Sequence, residues 1–282
     1  MKSYLRSSSY RAIYQREVER RTTDSVSTVL VTDRDLDRLP RPLQTYLRRV
    51  GVVGRPHVHN FRARFSGQMK SRTDAGWMRI RAEQYEFFDE PARLFLMQAS
   101  LHGLPFEALH LYLGESATMQ VKVLSLIQVV DARGPEMNQS ETVTLFNDMC
   151  LLAPAALIDA NVQWQDRDEH AALAAFTNAG NMIRAELSFD QTGDLVGFVS
   201  GDRYQSADGV TYRNLPWSTP VSDYRDFGGI RLPTRGDATW KQPEGDFTYA
   251  RFLLEEIEYN VGAGSPPMSK RAAPTQKIVR AE

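Results

Sequence analysis

Along FRARFSGQMK, Phe61, Ala63, Phe65 and Met69 alternate with Arg62, Arg64, Ser66, Gln68 and Lys70. Side chains on a strand change faces at every residue, so this pattern predicts a half-buried β-strand. Strand-like segments then follow one another: GWMRIRAEQYEFF, RLFLMQASL, FEALHLYL and ATMQVKVLSLIQVVD. A second series comprises NVQWQD, HAALAAFTN, NMIRAELSFD, LVGFVSGDRYQ, TPVSDYRDF, IRLPTRGDATWK and FTYARFLLEEIEYN. Turn residues separate many of them, as in RTDAG, DQTGD, SADGV and FGG. Connections this short favour antiparallel neighbours, because a parallel crossover needs a dozen or more residues.

Charge selects the register of the first hairpin. With Lys70 opposite Trp77, Met69 faces Met78, Phe65 faces Ala82 and Arg64 faces Glu83. A slip of two residues sets Arg64 against Arg81, an unfavourable like-charge pair, so the first register is preferred. It places Phe61, Ala63, Phe65, Met69, Met78, Ile80 and Ala82 on one apolar surface.

Helical periodicity appears in three places. Tyr10, Ile13, Tyr14 and Val18 fall at helical spacing, predicting a short amphipathic helix docked on the body. In TDRDLDRLPRPLQTYLRRVGV, Thr32 and Asp35 form a capping pair, and Pro40 and Pro42 suit a first turn. There Leu43, Tyr46, Leu47 and Val50 form a stripe that Gly51 ends. In residues 139–160, Ser140 is expected to cap a helix with Glu141 in its first turn, and Val143, Phe146, Met149 and Cys150 make its apolar stripe. Pro154 breaks that helix and begins a second short one.

The chain has 282 residues, 42% of them hydrophobic and 24% charged, an ordinary globular composition. The longest uncharged apolar run, MCLLAPAALI, is too short to span a bilayer, and residues 1–21 stay polar, so a secretory signal is not expected there. One cysteine, Cys150, fits a reducing compartment, so a cytoplasmic location is expected. Residues 1–30 and 261–282 each carry a net +3 within a total of −1, which leaves −7 on residues 31–260. An acidic body argues against nucleic acid as a partner. Weak contact of the basic termini with an anionic membrane surface is compatible with this distribution. The expected organisation is an N-terminal extension over 1–31, one β-rich domain over 32–261 and a disordered tail over 262–282.

Motif chemistry is sparse. Asp33, Asp35 and Asp37 fail the calcium-loop pattern, since Arg38 stands where glycine is required. His57 and His59, two apart on the expected first strand, are too few for zinc, so no metal is expected. Neither a nucleophile elbow nor a phosphate loop is present, and no cofactor is expected. Glu107 and His110 fall on opposite strand faces, while His102 and His170 have no sequence partner. Arg62, Arg64, Arg79 and Arg81 make a basic hairpin face. Trp217, Tyr224, Trp240, Tyr249 and Tyr259 are large amphipathic rings on late strands, suited to packing or to ligand stacking.

The order and spacing of LPRPLQTYLRRVG, FSGQMK, GWMRIRAEQYEFF, LLAPAALI, VQW, LSFDQTGDLVGF, YRDFGGIRLP, ATW and YARFLLEEIEYN resemble a bacterial domain family of unknown function, over roughly residues 33–260. The strand-rich plan with central helices also resembles the bacterial lipoprotein-localisation carriers and the receptor sharing their fold. That resemblance implies a mainly β (α+β) fold: a large curved antiparallel sheet forming an incomplete barrel, with central helices over its concave apolar face and helices at the N-terminus. The expected function is non-catalytic binding of an apolar or amphipathic ligand, such as an acyl chain, in the cup of the sheet. Its expected lining is Phe61, Phe65, Met69, Met78, Ile80, Phe146, Met149 and Leu152, with Phe61 and Phe65 approaching Phe146, Met149 or Leu152. Two alternatives stay open: a hydrolase-type enzyme with an acid such as Glu83 or Glu107 and a histidine at the rim, and a purely structural or partner-binding domain. Oligomeric state is left undetermined.

Overall fold

A computed structural model of the chain describes residues 9–22, 28–101, 103–124, 126–263 and 265. The expected tail over 262–282 lies almost wholly outside these residues, whereas Arg11, Arg16, Arg20 and Arg21 of the basic N-terminal segment lie within them, on the first helix.

Helix α1 (Tyr10–Arg21) is followed by the short α2 (Asp33–Leu36) and by α3 (Arg41–Val50). Six strands come next: β1 (Asn60–Met69), β2 (Met78–Phe87), β3 (Ala92–Leu101), β4 (Leu104–Leu113), β5 (Ser116–Val123) and β6 (Ile127–Ala132). After them stand α4 (Pro135–Leu152) and a 3-10 turn (Pro154–Ile158). The second series is β7 (Val162–Asp168), β8 (Ala171–Asn178), β9 (Asn181–Phe189), β10 (Leu195–Ser200), β11 (Tyr204–Gln205), β12 (Arg213–Asn214), β13 (Trp217–Phe227), β14 (Ile230–Gln242) and β15 (Gly245–Tyr259).

Apart from the β11–β12 pair, these strands form one antiparallel sheet of order β6-β5-β4-β3-β2-β1-β15-β14-β13-β10-β9-β8-β7. The sheet is an incomplete barrel: β6 and β7 lie at opposite edges and do not pair. Between them in sequence stand α4 and the 3-10 turn. A chain that must travel from one edge to the other lays its connection across the sheet, and here that connection is apolar enough to be the second layer. Val143, Leu145, Phe146, Met149 and Leu151 of α4 are all buried in the main core.

The first hairpin takes the register that charge favours, with Met69 opposite Met78, Phe65 opposite Ala82 and Arg64 opposite Glu83. On its other side β1 pairs with β15, where Arg62 meets Glu258 and Arg64 meets Glu256. At the start of β2 burial follows the alternation, with Ile80 and Ala82 buried and Arg79 and Arg81 exposed, whereas on β1 Arg62 departs from it, buried between Phe61 and Ala63 beside its partner Glu258.

The first helices follow their sequence signals. The Asp35 carboxylate accepts from the Thr32 N–H and hydroxyl, each at 2.7 Å. Gly51 ends α3 at φ 86°, a left-handed conformation open to glycine at little cost. Leu43, Tyr46, Leu47 and Val50 are fully buried. Helix α1 packs on β3 and β4, with Tyr10 and Tyr14 in a separate cluster with Tyr85, Leu94, Leu96 and Leu109.

The start of α4 differs from expectation. It begins at Pro135 after Gly134, so Ser140 and Glu141 lie in its interior rather than at its cap. Proline is pre-organised for a first turn, and here it outweighs the capping preference of serine. Ser140 Oγ instead accepts from the Tyr204 N–H at 2.9 Å, tying α4 to β11.

Candidate functional site

Between α4 and the middle of the sheet lies a cavity of about 180 Å³. Its apolar wall includes Phe65, Met69, Phe95, Met97, Phe252 and Leu254. The space exists because small residues occupy inward positions: Ala238 of β14 and Ala250 of β15 stand opposite each other, and both line it with Gly236. Arg235 and Asp237 reach its exposed end, and Arg235 is ion-paired to Asp223 at 2.5 Å.

The far side is polar. Gln84 and Arg93 line it, with Glu86 behind them, at positions whose neighbours on the same strand face, Ala82 and Phe95, are apolar. Glu141 and Asp148, two turns apart on α4, come down onto them. Arg93 donates through Nε to Asp148 at 2.8 Å and through a terminal nitrogen to Glu141 at 3.2 Å, while its guanidinium lies 5.0 Å over the Phe95 ring. Gln84 Nε2 donates to Asp148 at 2.8 Å and to Glu86 at 3.0 Å. His110 Nδ1 is 3.8 Å from Glu141, and the Tyr112 and Thr142 hydroxyls are hydrogen-bonded at 2.7 Å.

This environment drives two carboxyl groups apart. Burial, then the neighbouring Asp148, push the Glu86 carboxyl well above the ordinary range. One of its oxygens has no hydrogen-bond partner among the described residues. Burial also works against a charge on Glu141, yet Arg93 and His110 outweigh it and hold that group at about 2. Burial raises the Cys150 thiol, which lies in the core and not in the cavity wall, so it is a packing residue.

A second cationic group faces the same cavity. Arg203, just before β11, lies 4.4 Å over the Trp217 ring and 5.1 Å over Trp240. It donates to the Thr144 hydroxyl and to the Tyr249 hydroxyl, each at 3.3 Å. Trp217 and Trp240 are directly opposite on β13 and β14, so both side chains project from one face of the sheet, within reach of Arg203.

The residues expected to line a ligand site divide as follows. Phe65, Met69 and Leu152 face the cavity. Phe61, Ile80, Phe146 and Met149 are buried in the same core without facing it. Phe146 turns toward Phe176, with ring centroids 4.8 Å apart, and toward Phe198 and Trp164. Phe61 lies beside Phe88 at 6.2 Å. Met78 is half-buried at the end of β2 opposite Met69. Thus Phe65 and Leu152 share one cavity, while Phe146 serves the β8–β10 side of the core.

Other sequence candidates are dispersed. The first strand begins at Asn60, so His57 and His59 precede it; they bond to different carboxylates, Asp159 at 2.6 Å and Asp89 at 2.8 Å. Glu83 and Glu107 do not line the cavity, and His102 lies outside the described residues. Of the basic hairpin face, Arg62 pairs with Glu258 and Arg64 with Glu256, whereas Arg79 and Arg81 are exposed beside a separate groove. Sequence reading missed the Gln84–Glu86–Arg93–Glu141–Asp148 cluster. Its legible signal was polar residues continuing the parity of Ile80 and Ala82 on β2.

A model of a family of unknown function (DUF6544) matches residues 29–252, and the chain belongs to that family. No curated protein matches it. Among solved structures, it is similar to an outer membrane lipoprotein-sorting protein domain from Vibrio parahaemolyticus, at 11% identity and a TM-score of 0.40, covering 72% of this chain and 86% of that one. It is also similar to a LolA superfamily protein from Nitrosomonas europaea, at 11% identity and a TM-score of 0.40, covering 80% and 90%. A DUF1329 family protein from Desulfovibrio piger gives 13% identity and a TM-score of 0.41, covering 78% and 92%. Among the described residues, no helix is long and apolar enough to cross a membrane.

Proposed function

We propose that this member of the DUF6544 family is a non-catalytic binding module that takes part of an acyl chain between α4 and the sheet. The observation that carries this reading is the cavity itself, apolar along Phe65, Met69, Phe95, Met97, Phe252 and Leu254 and polar at the α4 side. Binding sites for small amphipathic molecules combine such walls with a few convergent polar groups. At about 180 Å³ the space suits a segment of an acyl chain, with the remainder leaving past Arg235. Dry apolar cavities near this size take up small hydrocarbons.

The helix above the cavity is anchored as well as apolar. The Tyr46 hydroxyl donates to the Cys150 carbonyl at 2.9 Å, and the Tyr259 hydroxyl donates to the Leu152 carbonyl. Arg93 and Gln84 hold its middle through Asp148. Such anchoring favours ligand access at the Arg235 end over displacement of α4.

An acid–base enzyme is the second reading, favoured by the opposed shifts of Glu86 and Glu141. Those groups suit it poorly. A carboxylate held at about 2 is a weak base at neutral pH, and Glu86 does not line the cavity.

Native mass spectrometry of protein isolated from its host, followed by lipid extraction, tests the binding reading. An acyl-lipid adduct is expected in the wild type and is expected to be absent from Ala250→Phe, which fills the cavity from β15. Repeated preparations without an adduct, together with no response from a fluorescent acyl probe, would overturn it.

A further inference from the structure

We infer that Arg203, laid across Trp217 and Trp240, is the subsite for an acidic head group, so that the preferred ligand is a carboxylate-bearing acyl chain rather than a neutral one. This inference rests on the acyl-binding reading and adds the chemical class of the head group.

A guanidinium carries five N–H donors in a planar fork. Arg203 directs bonds to two neutral hydroxyls, those of Thr144 and Tyr249. Among the described residues no carboxylate lies within ion-pair distance of it. The two acids of the cavity's polar side, Glu141 and Asp148, are both in contact with Arg93 instead. Arg203 acts on Glu141 through charge alone, lowering that group by less than Arg93 and His110 do.

A second donor beside it is also unspent. The Trp217 side chain lines the cavity and is 3% exposed, yet its Nε1–H has no acceptor among the described residues. A buried N–H without an acceptor is costly, and an oxygen arriving with a ligand satisfies it. The guanidinium lies over both indole rings, at 4.4 and 5.1 Å, and is held by two hydroxyls, so its fork is pre-organised for a planar carboxylate. Thr144 connects this subsite to α4, since its hydroxyl accepts from Arg203 and donates to the Ser140 carbonyl at 3.0 Å.

The experiment compares dodecanoate with dodecanol, which share a tail and differ in head group, by calorimetric titration and intrinsic tryptophan fluorescence on the full chain. Wild-type protein is expected to bind the acid at least about tenfold more tightly than the alcohol, and Arg203→Met to lose that preference by weakening the acid far more than the alcohol. Arg203→Lys keeps the charge without the fork and is expected to recover only part of the preference. Equal wild-type affinity for acid and alcohol overturns the inference and leaves the acyl-binding reading standing. Equal weakening of both ligands by Arg203→Met overturns it too, because Arg203 would then be bracing the β11 segment. If the wild type binds neither probe, the acyl-binding reading fails and the subsite falls with it. The wild-type acid-to-alcohol ratio decides the matter even where a variant does not fold.

Discussion

Arg93 of β3 and Asp148 of α4 meet at 2.8 Å, both largely removed from water, and this contact joins the sheet to the helix that crosses it. Arg93→Met leaves Asp148 and Glu141 buried without their guanidinium. Breaking a buried pair from one side costs roughly 3–5 kcal/mol, which urea denaturation will measure. The triple change Arg93→Met, Glu141→Leu and Asp148→Leu is expected to recover most of that loss. A penalty below about 1 kcal/mol for Arg93→Met would show that the pair does not hold α4.

Two buried acids give stability opposite slopes with pH. Glu141 is held at about 2, below the 4.5 of an unfolded glutamate, by Arg93 and His110 against the effect of burial. Its contribution is present above 4.5 and is lost as pH falls from there towards 2. Glu86 is shifted upward, first by burial and then by Asp148, so the native state keeps a proton that the unfolded chain releases. Its contribution is complete below 4.5 and is lost as pH rises towards the folded value. Glu86→Gln is therefore expected to change little at about pH 5 and to be more stable than wild type at about pH 8, while Glu141→Gln flattens the acid limb. Denaturation midpoints across that range provide the check; parallel curves for wild type and Glu86→Gln would refute the assignment.

Two phenylalanines with similar burial are expected to respond differently to truncation. Phe146 is enclosed by Phe176, Phe198 and Trp164, so Phe146→Ala should cost about 3–5 kcal/mol. Phe65 borders the cavity and has Phe252 at 6.0 Å, so Phe65→Ala loses fewer contacts and should cost about 2–3 kcal/mol. Equal losses in chemical denaturation would mean that the cavity wall is packed like the core.

Gly67 marks a close approach of β1 to β15. A Cβ at this position would lie 2.0 Å from the Arg251 carbonyl oxygen, a backbone atom that cannot rotate away. Gly67→Ala is expected to cost roughly 1–3 kcal/mol or more by forcing the strands apart, with a matching fall in thermal midpoint. An unchanged midpoint would show that the pairing yields at little cost.

Sequence by itself determined the elements and the local pairings. Alternation marked β1 and β2, the Arg64–Glu83 charge match chose their register, and Gly51 and the Thr32–Asp35 pair bounded the first helices. Those signals lie within a few residues of each other, where period and charge act directly. The functional assignment of charged residues was not local. Glu141 reads as an acid suited to a helix start and Arg93 as one charge in an apolar strand, because nothing within their own segments says that they face one another. Tertiary structure decided it: β6 and β7 lie at opposite edges, so α4 must cross the sheet and carry Glu141 and Asp148 onto Arg93. Likewise Trp217 and Trp240 became a platform for Arg203 only when β13 paired with β14 and the segment before β11 folded over them. The physical reason is range: hydrophobic period acts over a turn or a strand, whereas compensation of buried charge depends on partners supplied from 48 and 55 residues away.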